Sequence, residues 1–138
     1  MVVGLLFACH GASTVLGMFG GPSGGRPPAG HWPSWWAGLI QLVCGVLVLV
    51  GIGEAGTRTA AVLGSGSMAY AYFTVHAKHA LWPIENGGEP AAMFCWSLLL
   101  IAVMGPGAWS LARLPFRARV PGLGGNADPE RKRAPEAV

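Results

Sequence analysis

Charge is scarce in this chain. Asp, Glu, Lys and Arg make up 11% of its 138 residues, against about 25% in an average soluble domain, and a soluble helical bundle built from it would lack a polar exterior. No Lys or Arg precedes the first apolar stretch, and no A-x-A cleavage site follows it before the glycine-rich segment at 20–25. That stretch therefore reads as a retained helix, not as a secretory signal. Cysteine is rare too. Cys9, Cys44 and Cys95 are odd in number, far apart and without a C-x-x-C pair, which excludes a disulfide framework. No carboxylate falls inside an apolar stretch, so a Ser-His-Asp constellation has nothing to orient its histidine. A zinc site would lack its third and fourth convergent ligands.

What the chain has in abundance is hydrophobic side chains, at 52%. They gather at residues 2–19, 36–52, 59–82 and 91–111, stretches each near the ~20 residues that cross ~30 Å of hydrocarbon. The expected fold class is an all-α membrane protein: a four-transmembrane-helix bundle over residues 1–112, with a Gly/Pro-rich outer loop between helices 1 and 2. Residues 113–138 mix Pro, Gly and charge without periodicity. They are expected to form a disordered basic cytoplasmic tail, since they bury too little apolar area to offset their ordering entropy. No separate soluble catalytic domain fits in what remains.

The basic residues set the orientation. With the N-terminus inside, Arg58, Arg113, Arg117, Arg119, Arg131, Lys132 and Arg133 are cytoplasmic and only Arg26 and Lys78 are outside, as the positive-inside rule requires. Both termini are thus assigned to the cytoplasmic face of a bacterial inner membrane. Trp32, Trp35, Trp36 and Trp82 then form an outer interfacial belt and Trp109 an inner one. The net charge of +3 is explained by this clustering beside a span, and no nucleic-acid surface is expected. Gly4 and Ala8, Ala60 and Gly64, and Ser67 and Ala71 recur at the four-residue spacing that lets helix backbones approach closely.

Polar groups inside a span are costly, and here they favour the outer half. Gln41 and His76 trace to a similar depth below the outer surface and His10 nearer to mid-membrane, while Glu89 borders the fourth helix on the same side. Hydrogen bonds between helices explain such residues without a ligand. The sharper reading is a small pocket opening toward the outer leaflet. In it a neutral His76 and the Gln41 amide hold a carbonyl or quinone-like head group, His10 supports it from below, and Glu89 stands at the mouth. A b-type haem between His10 and His76 is disfavoured, because the two trace to depths about 5 Å apart. The Gly64–Ala69 segment approximates a nucleotide fingerprint, but it lies within an apolar helix and reads as helix packing.

Seven short motifs occur in order: His10-Gly11; Gly17-x-Phe19-Gly20-Gly21; Gln41-Leu42-Val43-Cys44-Gly45 leading to Gly51; Thr57-Arg58; Phe73-Thr74-Val75-His76; Asn86-Gly87-Gly88-Glu89; and Gly105-Pro106-Gly107-x-x-Ser110-Leu111. On these the chain resembles the DoxX family of small four-helix membrane proteins, over about residues 5 to 113. The resemblance implies an integral membrane protein that serves as a redox-associated membrane subunit, with quinone as the candidate ligand and other membrane or redox subunits as partners. Gln41 and Cys44 stand where the family usually has Glu and Gly, and Ala112 where an Asp is frequent. An amide can hydrogen-bond but cannot relay a proton, which favours the alternative of a non-catalytic scaffold or assembly subunit. Whether any reaction is catalysed is left open by the residues themselves.

Overall fold

A computed structural model describes residues 1–22 and 25–107. The expected tail at 113–138, the end of the fourth apolar stretch and Trp109 lie outside the described residues. Those described are helical and contain no strand. Helix α1 spans Val2–Leu16, α2 Ser34–Val50, α3 Glu54–Ala71, α4 Pro83–Asn86 and α5 Glu89–Met104. A short 3-10 turn, Met18–Gly20, follows α1, and a π-helical segment, Tyr72–His76, continues α3.

The helix ends follow local chemistry. Helices α1 and α2 stop at Gly17 and Gly51, both left-handed, whose N–H groups bond back to Ser13 and Leu47; only glycine enters that region at no steric cost. Helix α5 begins with Glu89 and Pro90, the acidic residue and the proline that suit a helix N-terminus. Thus the third helical run starts five residues before the apolar stretch at 59–82 and leaves the helix at His76. Among the described residues, no helix is both long and apolar enough to cross a membrane. Helices α1, α2 and α5 have 15, 17 and 16 residues, and α3 carries Glu54 and Arg58 in its opening turns.

Packing is closest between α1 and α2, and glycine makes it so. A Cβ on Gly4 would lie 2.5 Å from the Leu49 nitrogen, one on Gly11 would fall on the backbone of Leu42, and one on Gly45 on the backbone of Ala8. The two helices touch main chain to main chain, as small residues permit. Helix α3 packs on α2 and on α5, whereas α1 and α5 barely meet. Ala60 and Gly64 are buried as their spacing suggested, but Ser67 and Ala71 are only half-buried. Gly64 makes room for a side chain instead of a backbone: the Phe7 ring lies 2.9 Å from where its Cβ would be.

The interior is built of small residues around two large ones. Phe7 and Leu98 are fully buried, among Ala8, Ala60, Ala61, Ala91 and Cys44. The exterior carries the bulk: Leu6, Val43, Val62, Leu63, Met93, Trp96 and Val103 are all exposed. At the end of the bundle opposite the tryptophans, the Arg58 guanidinium donates to the Ala102 and Val103 carbonyls, both at 2.8 Å, and to Glu54 at 2.9 Å. It thereby supplies donors to the carbonyls that α5 leaves unpaired at its C-terminus.

Candidate functional site

The residues singled out from sequence occupy three places. His76 ends the π-helical segment, and its Nδ1 lies 3.1 Å from the Asn86 carbonyl. A carbonyl only accepts, so Nδ1 carries the proton and Nε2 is left as an acceptor. Asn86, buried in the turn before α5, is the centre of this region. Its Oδ1 accepts from the Gly88 N–H at 2.8 Å, and its Nδ2 donates to the Ala80 carbonyl at 2.9 Å and toward the Tyr72 hydroxyl at 3.5 Å. Tyr72 donates in turn to the Leu81 carbonyl at 3.2 Å and stacks on the His76 ring. A Cβ on Gly88 would lie 2.6 Å from Asn86 Oδ1 and 2.8 Å from the Tyr72 ring, so the Asn86-Gly87-Gly88 run is a clasp that admits no side chain at its third position. It joins the end of the α3 run to the start of α5 and sets where Glu89 emerges.

Gln41 lies elsewhere. It is 6% exposed, its Nε2 donates to the Met68 sulfur at 3.4 Å, and its Oε1 is buried without a partner. Met68 precedes His76 by two helical turns, about 12 Å along the axis at 1.5 Å per residue. The expectation of similar depth for Gln41 and His76 is therefore corrected. It rested on a helix reaching Trp82, whereas the helical run ends at His76 and the chain turns away. Thr57 also buries its hydroxyl without a partner, while Ser65 donates to the Cys95 carbonyl at 2.8 Å and ties α3 to α5.

The third place holds Glu89, with His10 related to it only through Phe94. His10 is exposed on α1, with its ring centroid 6.0 Å from that of Phe94 on α5. Phe94 and Glu89 both line a cleft of about 450 Å³ between α1 and α5, walled by Val3, Leu6, Pro90 and Met93 and reaching Ser97. This is the seam at which the two helices barely meet. Phe7, packed on the Phe94 ring at 5.2 Å between centroids, closes its floor toward the core. Glu89 is the first residue of α5. Among the described residues no hydrogen bond joins any two of His10, Gln41, His76 and Glu89, and no three metal-ligating side chains come together.

Asn86 and Tyr72 were missed from sequence. The signal for the first was present in the Asn-Gly-Gly run, which marks a turn, but nothing local says which carbonyls its amide would meet. The cleft had no sequence signal, because a seam is the absence of contact between distant helices.

The family model described as DoxX matches residues 1–77. A protein of Haemophilus influenzae described as uncharacterized is 34% identical over 120 residues, covering 85% of this chain and 87% of its own. No solved structure matches the chain.

Proposed function

The chain belongs to the DoxX family, and on that premise we propose that it is an integral protein of the bacterial inner membrane that receives a lipophilic small molecule in the cleft between α1 and α5. Helices α1, α2, α3 and α5 cross the bilayer, with both termini cytoplasmic, and the protein serves as a redox-associated membrane subunit with a quinone as the candidate ligand. The observation that carries this reading is the inverted distribution of bulk. Apart from Phe7, Leu98, Met68, Val15 and Val48, the buried side chains are small or polar, Gln41, Thr57 and Ser65 among them, while most leucine, valine, methionine and tryptophan side chains are outside. Such a surface suits lipid, where small-residue packing and interhelical hydrogen bonds associate helices and apolar exteriors carry no penalty. Short helices are accommodated by local thinning and interfacial anchors at a cost of fractions of a kcal/mol per Å of mismatch. Trp32, Trp36 and Trp82, all exposed near one end, are such anchors.

Because the seam opens sideways, a ligand enters it from the bilayer without crossing water. Its apolar walls take a hydrocarbon or ring, and Glu89, with His10 across Phe94, offers polar groups to a head. His76 and Gln41 support this region indirectly, the first by anchoring the clasp before α5. The test is photolabelling of membranes containing the protein with an azido-quinone. Label on peptides holding Leu6 and Met93, displaced by unlabelled quinone, is the expected result; label elsewhere, or none that is displaced, refutes the cleft.

One observation favours the scaffold reading instead. The Nδ1 proton of His76 and one of the two amide protons of Gln41 are engaged by Asn86 and Met68, and neither residue lines the cleft. A stoichiometric partner that co-purifies equally with wild type and with a His10→Ala, Glu89→Ala variant, in protein that takes no label, would establish that alternative.

A further inference from the structure

We infer, resting on the reading of the α1/α5 cleft as a ligand site, that Glu89 makes this site select amphiphiles whose head donates a hydrogen bond, hydroxyl or ammonium, over those whose head only accepts. An ionised carboxylate has acceptors and no donor. Glu89 stands at one end of the cleft and Ser97 at the other, eight residues apart on α5, which is about 12 Å. Between them the walls offer only hydrocarbon and the Phe94 ring. Among the described residues the ion pair found is Arg58 with Glu54, at the opposite end of α5, and no cation neutralises Glu89. Lys78 and His79, the basic residues of the segment before α4, make no ion pair with it. An acceptor-only head, such as an ether or an oxidised quinone, meets a negative charge there and loses its own hydration without replacement, so of a quinone couple the quinol is the form held more tightly. A hydroxyl or ammonium head gains a charge-assisted hydrogen bond, and its chain lies along the groove with the head toward the outer leaflet.

The pair of probes is para-nonylphenol and its O-methyl ether, which share a tail and differ in one donated hydrogen bond. Each is titrated calorimetrically into the full-length protein in lipid nanodiscs, with empty nanodiscs subtracted. The wild type is expected to bind the phenol about tenfold more tightly than the ether, the ratio that about 1.4 kcal/mol produces. In Glu89→Gln the ratio falls toward unity, because the amide accepts from the phenol without charge assistance and donates to the ether. Equal binding of both probes by the wild type overturns the selectivity and leaves the cleft standing. A tenfold ratio that persists in Glu89→Gln overturns the role of Glu89. No binding of either probe overturns the cleft itself. Monodisperse elution of the variant and unchanged far-UV dichroism guard against misfolding.

Discussion

Adding a single methyl group to glycine should have opposite effects at two places in this molecule. At Gly11 and Gly45 the new Cβ meets the backbone of Leu42 or of Ala8, and backbone cannot swing aside as a side chain does. At Gly66, on the outer face of α3, it meets nothing within 4 Å. Overpacking a close contact costs about 1–3 kcal/mol, and unyielding main-chain atoms put these sites at the upper end. Replacing glycine by alanine within a helix returns about 1 kcal/mol. Gly11→Ala and Gly45→Ala should therefore each destabilise by about 2 kcal/mol, while Gly66→Ala stabilises by up to about 1 kcal/mol. Since one separation of α1 from α2 relieves both clashes, the double variant should lose less than the sum. Unfolding in mixed detergent micelles by titrated dodecyl sulfate, followed by far-UV dichroism, measures all four proteins. A Gly11→Ala variant as stable as wild type, or a Gly66→Ala variant less stable, would refute the main-chain contact between α1 and α2.

Arg58→Met removes the donors to Ala102 and Val103 and should cost about 1.5–3 kcal/mol, the range for hydrogen bonds to charged groups. Because Arg58 is partly exposed and water can replace it, the low end is expected, with hydrogen exchange quickening first at the last turn of α5; unaltered exchange there would count against the cap. Arg58→Lys should recover only part, since an ammonium lacks the fork that reaches two carbonyls and Glu54 together. Asn86→Ala leaves the Ala80 carbonyl without its donor and the Gly88 N–H with only its 3.1 Å bond to the Pro83 carbonyl, and should cost about 1–2 kcal/mol. Asn86→Asp should recover less than half of that, because it keeps the acceptor for Gly88 but turns a negative oxygen toward the Ala80 carbonyl. Thermal unfolding in detergent ranks the three proteins, and an aspartate variant as stable as wild type would show that the Ala80 bond contributes nothing.

The sequence by itself determined that the chain is helical and roughly where its long helices lie. The apolar stretches are of helical length, and Gly17, Gly51 and the Glu89-Pro90 pair punctuate the chain through backbone conformations that neighbouring residues impose. The small residues Gly4, Ala8, Ala60 and Gly64 were also legible as a packing face, because their spacing of four is a property of one helix. Which surface each would meet was not. Gly4 and Ala8 reach the backbone of α2 through Gly45, while Gly64 holds the ring of Phe7, and the sequence spacing is the same in both cases. Of the candidate site, its residues were legible one by one, but not their grouping. The end of the helical run at His76 put that histidine two turns from Gln41, and the slack seam between α1 and α5 put Glu89 on a cleft whose Phe94 wall lies beside His10. Arg58 looked like a marker of orientation and is also the cap of a helix 44 residues away. Contacts of that kind depend on how four helices divide their faces among three neighbours. That choice is made by the whole bundle, because burying one face of a helix withdraws it from every other partner.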